Sequence, residues 1–465
     1  MITRRLALQG SVAAGAFATL TPAVAQTADP WKEAEAILAR IRAPTFPDRT
    51  FDITAHGAKA DGVTDCTDAI RAAITACNAA GGGVVRVPAG TWLTGAVHLK
   101  SNVNLRIEKD ATLLFTTDLK KFLPVVLTRY EGIELMHYSP LIYAFEQENI
   151  AITGEGAIDG QGSKAWWPLG GPRWGGKPGD PVSRTARTRL GQQGEAGVPV
   201  AERVYGDGSF LRTQFIQPYR CKNVLIEGVA LRDSPMWQVH PVECENVIVR
   251  KLNIVSHGPN NDGCDPDACK DVLIEDCFFD TGDDCIAIKS GRNAEGRRLK
   301  KPCENIVIRN CMMKNGHGGV TLGSEITGGV RNVFVEDCTL DSPELDHALR
   351  FKNNAMRGGV LENIHIRNIY VGQVAHAVIT IDFNYEEGAR GDYKPVLRNL
   401  TVEQLVSGKS RYAVDLQGLP NSSLENITLR DCVFDNVAEP SIVKYVDGIR
   451  LENVMINGKL VTSLV

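Results

Sequence analysis

From residue 221 onward one short phrase recurs: CKNVLIEGVAL, CENVIVRKLNI, CKDVLIEDCFF, CENIVIRNCMM, VRNVFVEDCTL, LENIHIRNIYV, LRNLTVEQLVS, LENITLRDCVF and LENVMIN. In each phrase Val or Ile alternates with polar residues for a few positions, which is the pattern of a half-buried strand. The anchors Asn223, Asn246, Asp271, Asn305, Asn332, Asn363, Asn399, Asn426 and Asn453 are 23 to 36 residues apart, a period range that marks a solenoid. A second apolar run such as CIAIK, GVTLG or ALRFK follows about twelve to fifteen residues later. Two or three strands per turn, repeated over roughly ten turns, predict an all-β fold, a parallel β-helix. Equivalent strands then pair ~4.8 Å apart, so equivalent residues stack into ladders, and the anchor asparagines read as structural.

The rest of the chain is organised around this coil. Thr64-Asp65 opens a helical pattern with Ala69, Ile70, Ala73, Ile74 and Cys77 on one face, stopped by Gly81-Gly82-Gly83. It is expected to cap the open end of the solenoid, and the amphipathic stretch Trp31 to Arg42 is expected to pack nearby, so 31–80 forms the N-terminal helices and cap. Residues 154–218 interrupt the repeat with a Gly/Pro-rich loop insertion carrying Trp166, Trp167 and Trp174. The first 25 residues read differently: Thr3-Arg4-Arg5-Leu6, an Ala-rich apolar stretch and Ala23-Val24-Ala25. That is the layout of an export signal, either twin-arginine-like or general secretory. The expectation is therefore a secreted or periplasmic protein whose residues 26–465 form a single catalytic domain.

Composition narrows the function. The formal charge of -4 becomes -6 when Arg4 and Arg5 leave with the signal (49 basic against 55 acidic residues), which argues against a general nucleic-acid-binding surface. No apolar run reaches the ~18 to 20 residues of a membrane span. Aromatic residues make up 6% and glycine occupies 45 positions, as a narrow coil with tight corners requires. Of the twelve cysteines, Cys221, Cys244, Cys269 and Cys303 sit two residues before an anchor, and Cys277, Cys311, Cys338 and Cys432 sit six after one. Two registers of a repeat read as free thiols stacked inside the coil, with a bridge at Cys285 left open.

The candidate chemistry lies between residues 257 and 352, outside the repeating phrase: HGPNNDG, TGDDC, NGHGG and ALRFK. Asp283 and Asp284 follow Asp271 by twelve and thirteen positions, and His317 follows Asn305 by twelve, so they occupy the same point on successive turns. Asp262 falls just before the equivalent strand of the preceding turn and is expected to face the groove rather than the interior. Arg350 and Lys352, at i and i+2, share one face of the following turn. Carboxylates this close repel, so at least one is expected to hold its proton beside an ionised neighbour, the arrangement of a general acid and a general base.

At these motifs the chain resembles the polygalacturonase family of glycoside hydrolases, whose members carry Asn-Thr-Asp, Gly-Asp-Asp, Gly-His-Gly and Arg-Ile-Lys in this order. Here the motifs are Asn260-Asn261-Asp262, Gly282-Asp283-Asp284, Gly316-His317-Gly318 and Arg350-Phe351-Lys352. The likeness extends to DGVTD, GGGVVRVPAG and LKSNVNL near the amino terminus. It implies hydrolysis of α-1,4-linked galacturonic acid in pectin on a right-handed parallel β-helix, with no cofactor and no metal. Asp283 resembles the general acid, Asp262 and Asp284 the pair that activates water with inversion, and His317 the group that tunes the acid. Arg350, Lys352 and Tyr385 resemble the residues that bind the sugar carboxylate and ring, and Asn260 and His240 are further candidates for lining the groove. The tryptophan-bearing insertion and the stretch GGVTLGSEITGGVRNV, which resembles bacterial exo-acting members, favour attack from chain ends. Asn261 and Phe351 depart from the pattern and leave a rhamnogalacturonan backbone open as an alternative substrate. A pectate or pectin lyase and a non-catalytic β-helix adhesin are the competing classes. The partner is in each case a pectic or related polysaccharide, not nucleic acid or membrane, and the enzyme is expected to be a monomer.

Overall fold

The computed structural model describes residues 29–464; the export signal read over residues 1–25 lies outside the described residues. The nine phrases form strands that pair in parallel with one another in chain order, from Lys222–Glu227 to Val446–Ile456. Four further strands, Thr50–Asp52, Gly83–Val87, Val103–Ile107 and Glu148–Gly154, precede them in the same column. The coil is thus thirteen rungs long, not roughly ten: the anchor ladder continues upstream of the nine phrases through Asn149 and Asn102, with Asn223 Nδ2 donating to Asn149 Oδ1 at 2.8 Å and Asn149 Nδ2 to Asn102 Oδ1 at 3.1 Å. A second parallel sheet stacks Ile286–Ile288, Gly316–Leu322, Leu345–Lys352, Ala377–Asp382, Tyr412–Gln417 and Ile442–Lys444. The second apolar runs belong to this sheet, and it carries the candidate chemistry.

The anchor residues do two jobs. Each has a left-handed backbone, with φ from 53° at Asn426 to 61° at Asn305, a conformation that Asn and Asp tolerate better than other side chains. Their amides also bond up the stack: Asn246 Nδ2 to Asn223 Oδ1 at 2.7 Å, Asn332 to Asn305 at 3.0 Å and Asn363 to Asn332 at 3.2 Å. Asp271 has no amide to donate, and Arg40 fills the gap by donating Nε and Nη2 to its carboxylate at 3.0 and 2.7 Å. Inside the coil Val, Ile, Leu and Cys form one continuous core. All twelve thiols, Cys285 included, are free and buried, and Cys221, Cys244 and Cys269 stack with amide to sulfur distances of 3.4 Å.

The cap helix runs Thr67–Ala79 and buries Ile70, Ala73, Ile74 and Cys77 on the first rungs. The Trp31–Arg40 helix is displaced from its expected place beside the cap. It lies on the outer face of the main sheet, where Trp31, Ala34 and Ile37 cover Ala151, Leu225, Ile248, Leu273, Val307 and Phe334. Those six outward-facing apolar positions on consecutive rungs explain the docking, because leaving them in water would cost apolar burial.

The 154–218 insertion is also more ordered than a loop. It contains the rung strand Ala157–Asp159, a helix at Arg184–Glu195 and the strand Ile216–Tyr219. An antiparallel hairpin, Val126–Tyr130 with Ile133–His137, stands beside that helix. Ala186 and Leu190 of the helix pack with Tyr130, Ile133, Leu135, Tyr205 and Trp237 into a small satellite core next to the second sheet.

Candidate active site

Asp283 and Asp284 sit in the turn before Ile286–Ile288, and register with the next rung places His317 opposite Asp283. His317 Nδ1 lies 3.0 Å from Asp283 Oδ1. Asp262 arrives from the preceding rung, and one carboxylate oxygen from each of Asp262, Asp283 and Asp284 lies within 4.8 Å of the others. Two glycines make the convergence possible. A Cβ at Gly282 would meet Gly258 O at 2.6 Å, and one at Gly318 would meet Asp284 Oδ1 at 2.8 Å.

The three carboxylates are in different electrostatic states. Asp284 is fully buried, and burial alone would push it up. Lys352 at 2.6 Å and Arg350 at 3.1 Å, together with Lys289, instead hold it well below the usual carboxylate range. For Asp262 burial wins: with Asp265 and Asp283 beside it, its carboxyl is pushed well up against the pull of Lys289. Asp262 is only 3% exposed, less than a groove residue was expected to be, yet its carboxyl faces the other two and not the Val/Ile/Cys core. Asp283 is the most open of the three, with 18% of its side chain exposed. The hydrogen bond that its Nδ1 makes to the Asp283 carboxylate raises His317 above its ordinary value, with burial opposing.

A second layer lies beneath Asp262. Lys289 Nζ is shared by Asp262 at 3.6 Å, Asp265 at 3.4 Å and Glu325 at 3.4 Å, all of them buried. Burial pushes Asp265 up to about 8, although Lys289 and Asp262 both pull it down. Three carboxylates at this spacing are also a donor set for a divalent cation. Both oxygens of Asp284 are, however, taken by Arg350 and Lys352, and Lys289 already supplies counter-charge at Asp262. The set therefore fits a resident metal poorly.

The structure brings together seven of the nine predicted residues around this cluster and its rim: Asp262, Asp283, Asp284, His317, Arg350, Lys352 and Tyr385. Arg350 and Lys352 do share a face, and the Tyr385 ring stands 5.8 and 5.3 Å from their charged groups. Asn260 lines an adjoining cavity of about 1380 Å³, larger than the usual ~300 to 1,000 Å³ small-molecule site. His240 does not line the groove. It is fully buried, with Nδ1 2.9 Å from Gln217 Nε2, Nε2 3.6 Å from Asp267 and its ring edge-on to Trp237, so it belongs to the internal packing. The tryptophans divide: Trp166 is buried against Phe122 and Tyr138, Trp167 donates to Ser234 O, and Trp174 lines the cavity. Both departures from the motif pattern turn away from the groove. Phe351 points into the coil, and Asn261 ties Ser256, Gly258 and Ser234 together.

Residues 209–453, more than half of the chain, match the model of Glycosyl hydrolases family 28. The chain belongs to glycosyl hydrolases family 28. Family 28 membership makes it a glycoside hydrolase, and the upstream stretch 50–106 matches a model described as Rhamnogalacturonase A/epimerase, pectate lyase-like. It is similar to the crystal structure of a hyperthermoactive exopolygalacturonase from Thermotoga maritima. The identity there is 43%, the TM-score 0.90, and the match covers 93% of this chain and 97% of that one. A probable polygalacturonase of Vitis vinifera is 29% identical over 84% of this chain and 75% of its own length. An exo-poly-alpha-D-galacturonosidase of Dickeya chrysanthemi is 28% identical over 84% and 67%. The right-handed parallel β-helix of family 28 is the architecture described above.

Sequence reasoning about this family 28 site missed Asp265, Lys289 and Glu325. A signal for Lys289 was present. Ile288 pairs with Leu322 and Leu322 with Phe351, so Lys289, Gly323 and Lys352 occupy one column. The register argument that located His317 reaches Lys289 as well. Glu325 lies beyond the strand, where register gives no handle.

Proposed function

We propose that the enzyme hydrolyses α-1,4-galacturonosidic bonds in pectic polymers, acting from chain ends and releasing galacturonate. The observation that carries the reading is the contact of Asp284 with Arg350 and Lys352 inside a three-carboxylate cluster. It joins acid–base chemistry to cations that suit an anionic sugar. Asp283, the most open carboxyl, protonates the leaving glycosidic oxygen, with His317 fixing its orientation through the 3.0 Å contact. Asp262 and Asp284 hold the attacking water. Asp284 is ionised but, held by two cations, a weak proton acceptor; Asp262 is the stronger acceptor once ionised, with Asp265 beside it to share the proton. Arg350, Lys352 and Tyr385 form the floor on which the substrate carboxylate and ring rest.

Inversion is part of the proposal and rests on the family resemblance rather than on separation. Inverting carboxyl pairs stand ~6.5 to 9.5 Å apart and retaining pairs ~5 to 5.5 Å. The oxygens here lie within 4.8 Å, so this ruler does not favour inversion. Proton NMR of the first-formed product decides it, since a β-anomer from an α-linkage means inversion. The overall reading is tested by incubating the protein with polygalacturonate, de-esterified pectin and rhamnogalacturonan in chelator. Reducing ends, ultraviolet absorbance and product length are then followed. Monomer from polygalacturonate without new ultraviolet absorbance is expected; an unsaturated product or none overturns it.

A further inference from the structure

Among the described residues four arginines are buried: Arg129, Arg203, Arg212 and Arg357. Three of them face carboxylates: Arg129 pairs with Glu243 and Asp267, Arg203 with Glu295, and Arg357 with Glu386 and Glu387. Arg212 has no carboxylate within 4.0 Å among the described residues. It donates to the carbonyl oxygens of Pro235 and Pro259 and, at 2.7 Å, to Asn260 Oδ1, and its Nε has no partner. A buried cation without a counter-charge is costly, and neutral acceptors offset only part of the cost. Arg212 forms part of the wall of the 1380 Å³ cavity, and so does Tyr130, whose buried hydroxyl also lacks a partner.

The same cavity collects cations from two other elements. Arg184 and Arg187, three residues apart at the start of the Arg184–Glu195 helix, line it from the insertion, and Arg390 lines it from the loop after Ala377–Asp382. Arg187 is paired with Glu131 at 2.6 Å. Arg184 and Arg390 are exposed and have no carboxylate within 4.0 Å among the described residues. Glu131, Glu195, Glu386 and Glu387 line the same cavity, but each is already paired with Arg187, Arg292, Arg297 or Arg357, so the three arginines without an acidic partner are left for a carboxylate ligand.

We propose that Arg184 and Arg390, backed by the buried charge of Arg212, bind the carboxylate of the non-reducing terminal galacturonate and so select chain ends. The proposal rests on the galacturonan reading and adds to it a specificity element made from the insertion. It separates two duties: Arg350 and Lys352 serve the sugar on the leaving side of the cleaved bond, while the helix and the Arg390 loop hold the terminal sugar on the other side.

The test compares the wild type with the double variant Arg184→Gln/Arg390→Gln, whose side chains have no acidic partner to orphan. Three substrates are used: trigalacturonate, its methyl ester at the non-reducing end and its methyl ester at the reducing end. The wild type is expected to prefer the free terminus over the non-reducing-end ester by about tenfold, the scale of one charge-assisted contact. In the double variant KM for trigalacturonate rises about tenfold and that preference falls to near one. Equal use of the free and non-reducing-end ester substrates by the wild type, or a preference unchanged in the variant, overturns the proposal. Discrimination confined to the reducing-end ester overturns it too. If the wild type cleaves no galacturonan, the functional reading fails separately, and calorimetry of trigalacturonate on Asp283→Asn with and without the two arginines decides the binding claim: equal affinities overturn it.

Discussion

Replacing Asp265 by Asn is predicted to change how stability depends on pH, because the native state holds a proton that the unfolded chain releases. Asp265 keeps its proton up to about pH 8, against an ordinary value of 3.8. Between those values the folded protein binds more protons than the unfolded one, so stability falls as pH rises. About four pH units at about 1.4 kcal/mol each set a ceiling of about 6 kcal/mol, and Asp262 shares the same proton, so it is counted once. His317 acts with the same sign: its value is raised in the fold, so its contribution is present below about 6.5 and lost as pH rises through the raised value. The Asn variant leaves His317 in place, and the difference between the two proteins isolates the Asp262–Asp265 pair. Urea unfolding at pH 5, 6.5, 8 and 9 is the assay. Relative to Asp265→Asn, the wild type is expected to lose about 4 kcal/mol between pH 5 and 8; buried His137, His240 and His347, whose values are lowered, act with the opposite sign below about 6.5 but equally in both proteins. Asp265→Asn should lose markedly less, ending more stable than wild type at pH 9. A variant curve parallel to that of the wild type from pH 5 to 9 would refute the reasoning.

Asp283→Asn retains an oxygen to accept from the Asp284 amide. It is expected to lower turnover by about a thousandfold or more while the far-ultraviolet dichroism and melting temperature stay unchanged. Lys352→Met leaves Asp284 buried with one fewer cation; a loss of about 3 to 5 kcal/mol in denaturant unfolding is expected. In the pH profile of kcat/KM, the alkaline limb is expected above the ordinary histidine value, and His317→Asn should displace or remove it. Asn332→Ala deletes both an amide donor to Asn305 and a side chain suited to φ 57°; a loss of about 1 to 2 kcal/mol in the same unfolding assay is the expected cost.

The parts of the fold that repeat were legible because each rung writes the same physical requirement into the chain. Asn332 and Asn363 announce a ladder, yet the left-handed turn that makes asparagine the suitable residue shows only in the backbone. Asn102 and Asn149 continue the ladder upstream, but the long insertion between Asn149 and Asn223 breaks the period that counting relied on, so the early rungs were undercounted. The Trp31–Arg40 helix was legible as amphipathic, but amphipathicity names a buried face without naming its partner. Its partner is a stripe made of one residue from each of six rungs, Ala151 through Phe334, and no single phrase displays that stripe. The Arg184–Glu195 helix was hidden for a different reason: it buries only Ala186, Leu190 and Gly194, too few apolar positions to show a period.

At the site, residues one rung apart could be placed together by counting, as His317 and Asp283 were, and so could Arg350 and Lys352 on one face. What counting could not give is the charge state. Asp262 and Asp284 read alike in sequence, yet the fold drives them in opposite directions, because Lys352 and Arg350 reach Asp284 while Asp262 shares Lys289 with Asp265 and Glu325. The β-helix achieves this with its own spacing: columns ~4.8 Å apart set a lysine from one rung beside a carboxylate from another at contact distance. An acidic enzyme acting on an acidic polymer must place its cations where they offset its own carboxylates before substrate arrives. In the binding mode proposed above, Arg350 and Lys352 would face a choice of partner, Asp284 or the incoming sugar carboxylate. Drawing them toward the sugar would relax their hold on Asp284 and make it a better proton acceptor when the substrate is in place.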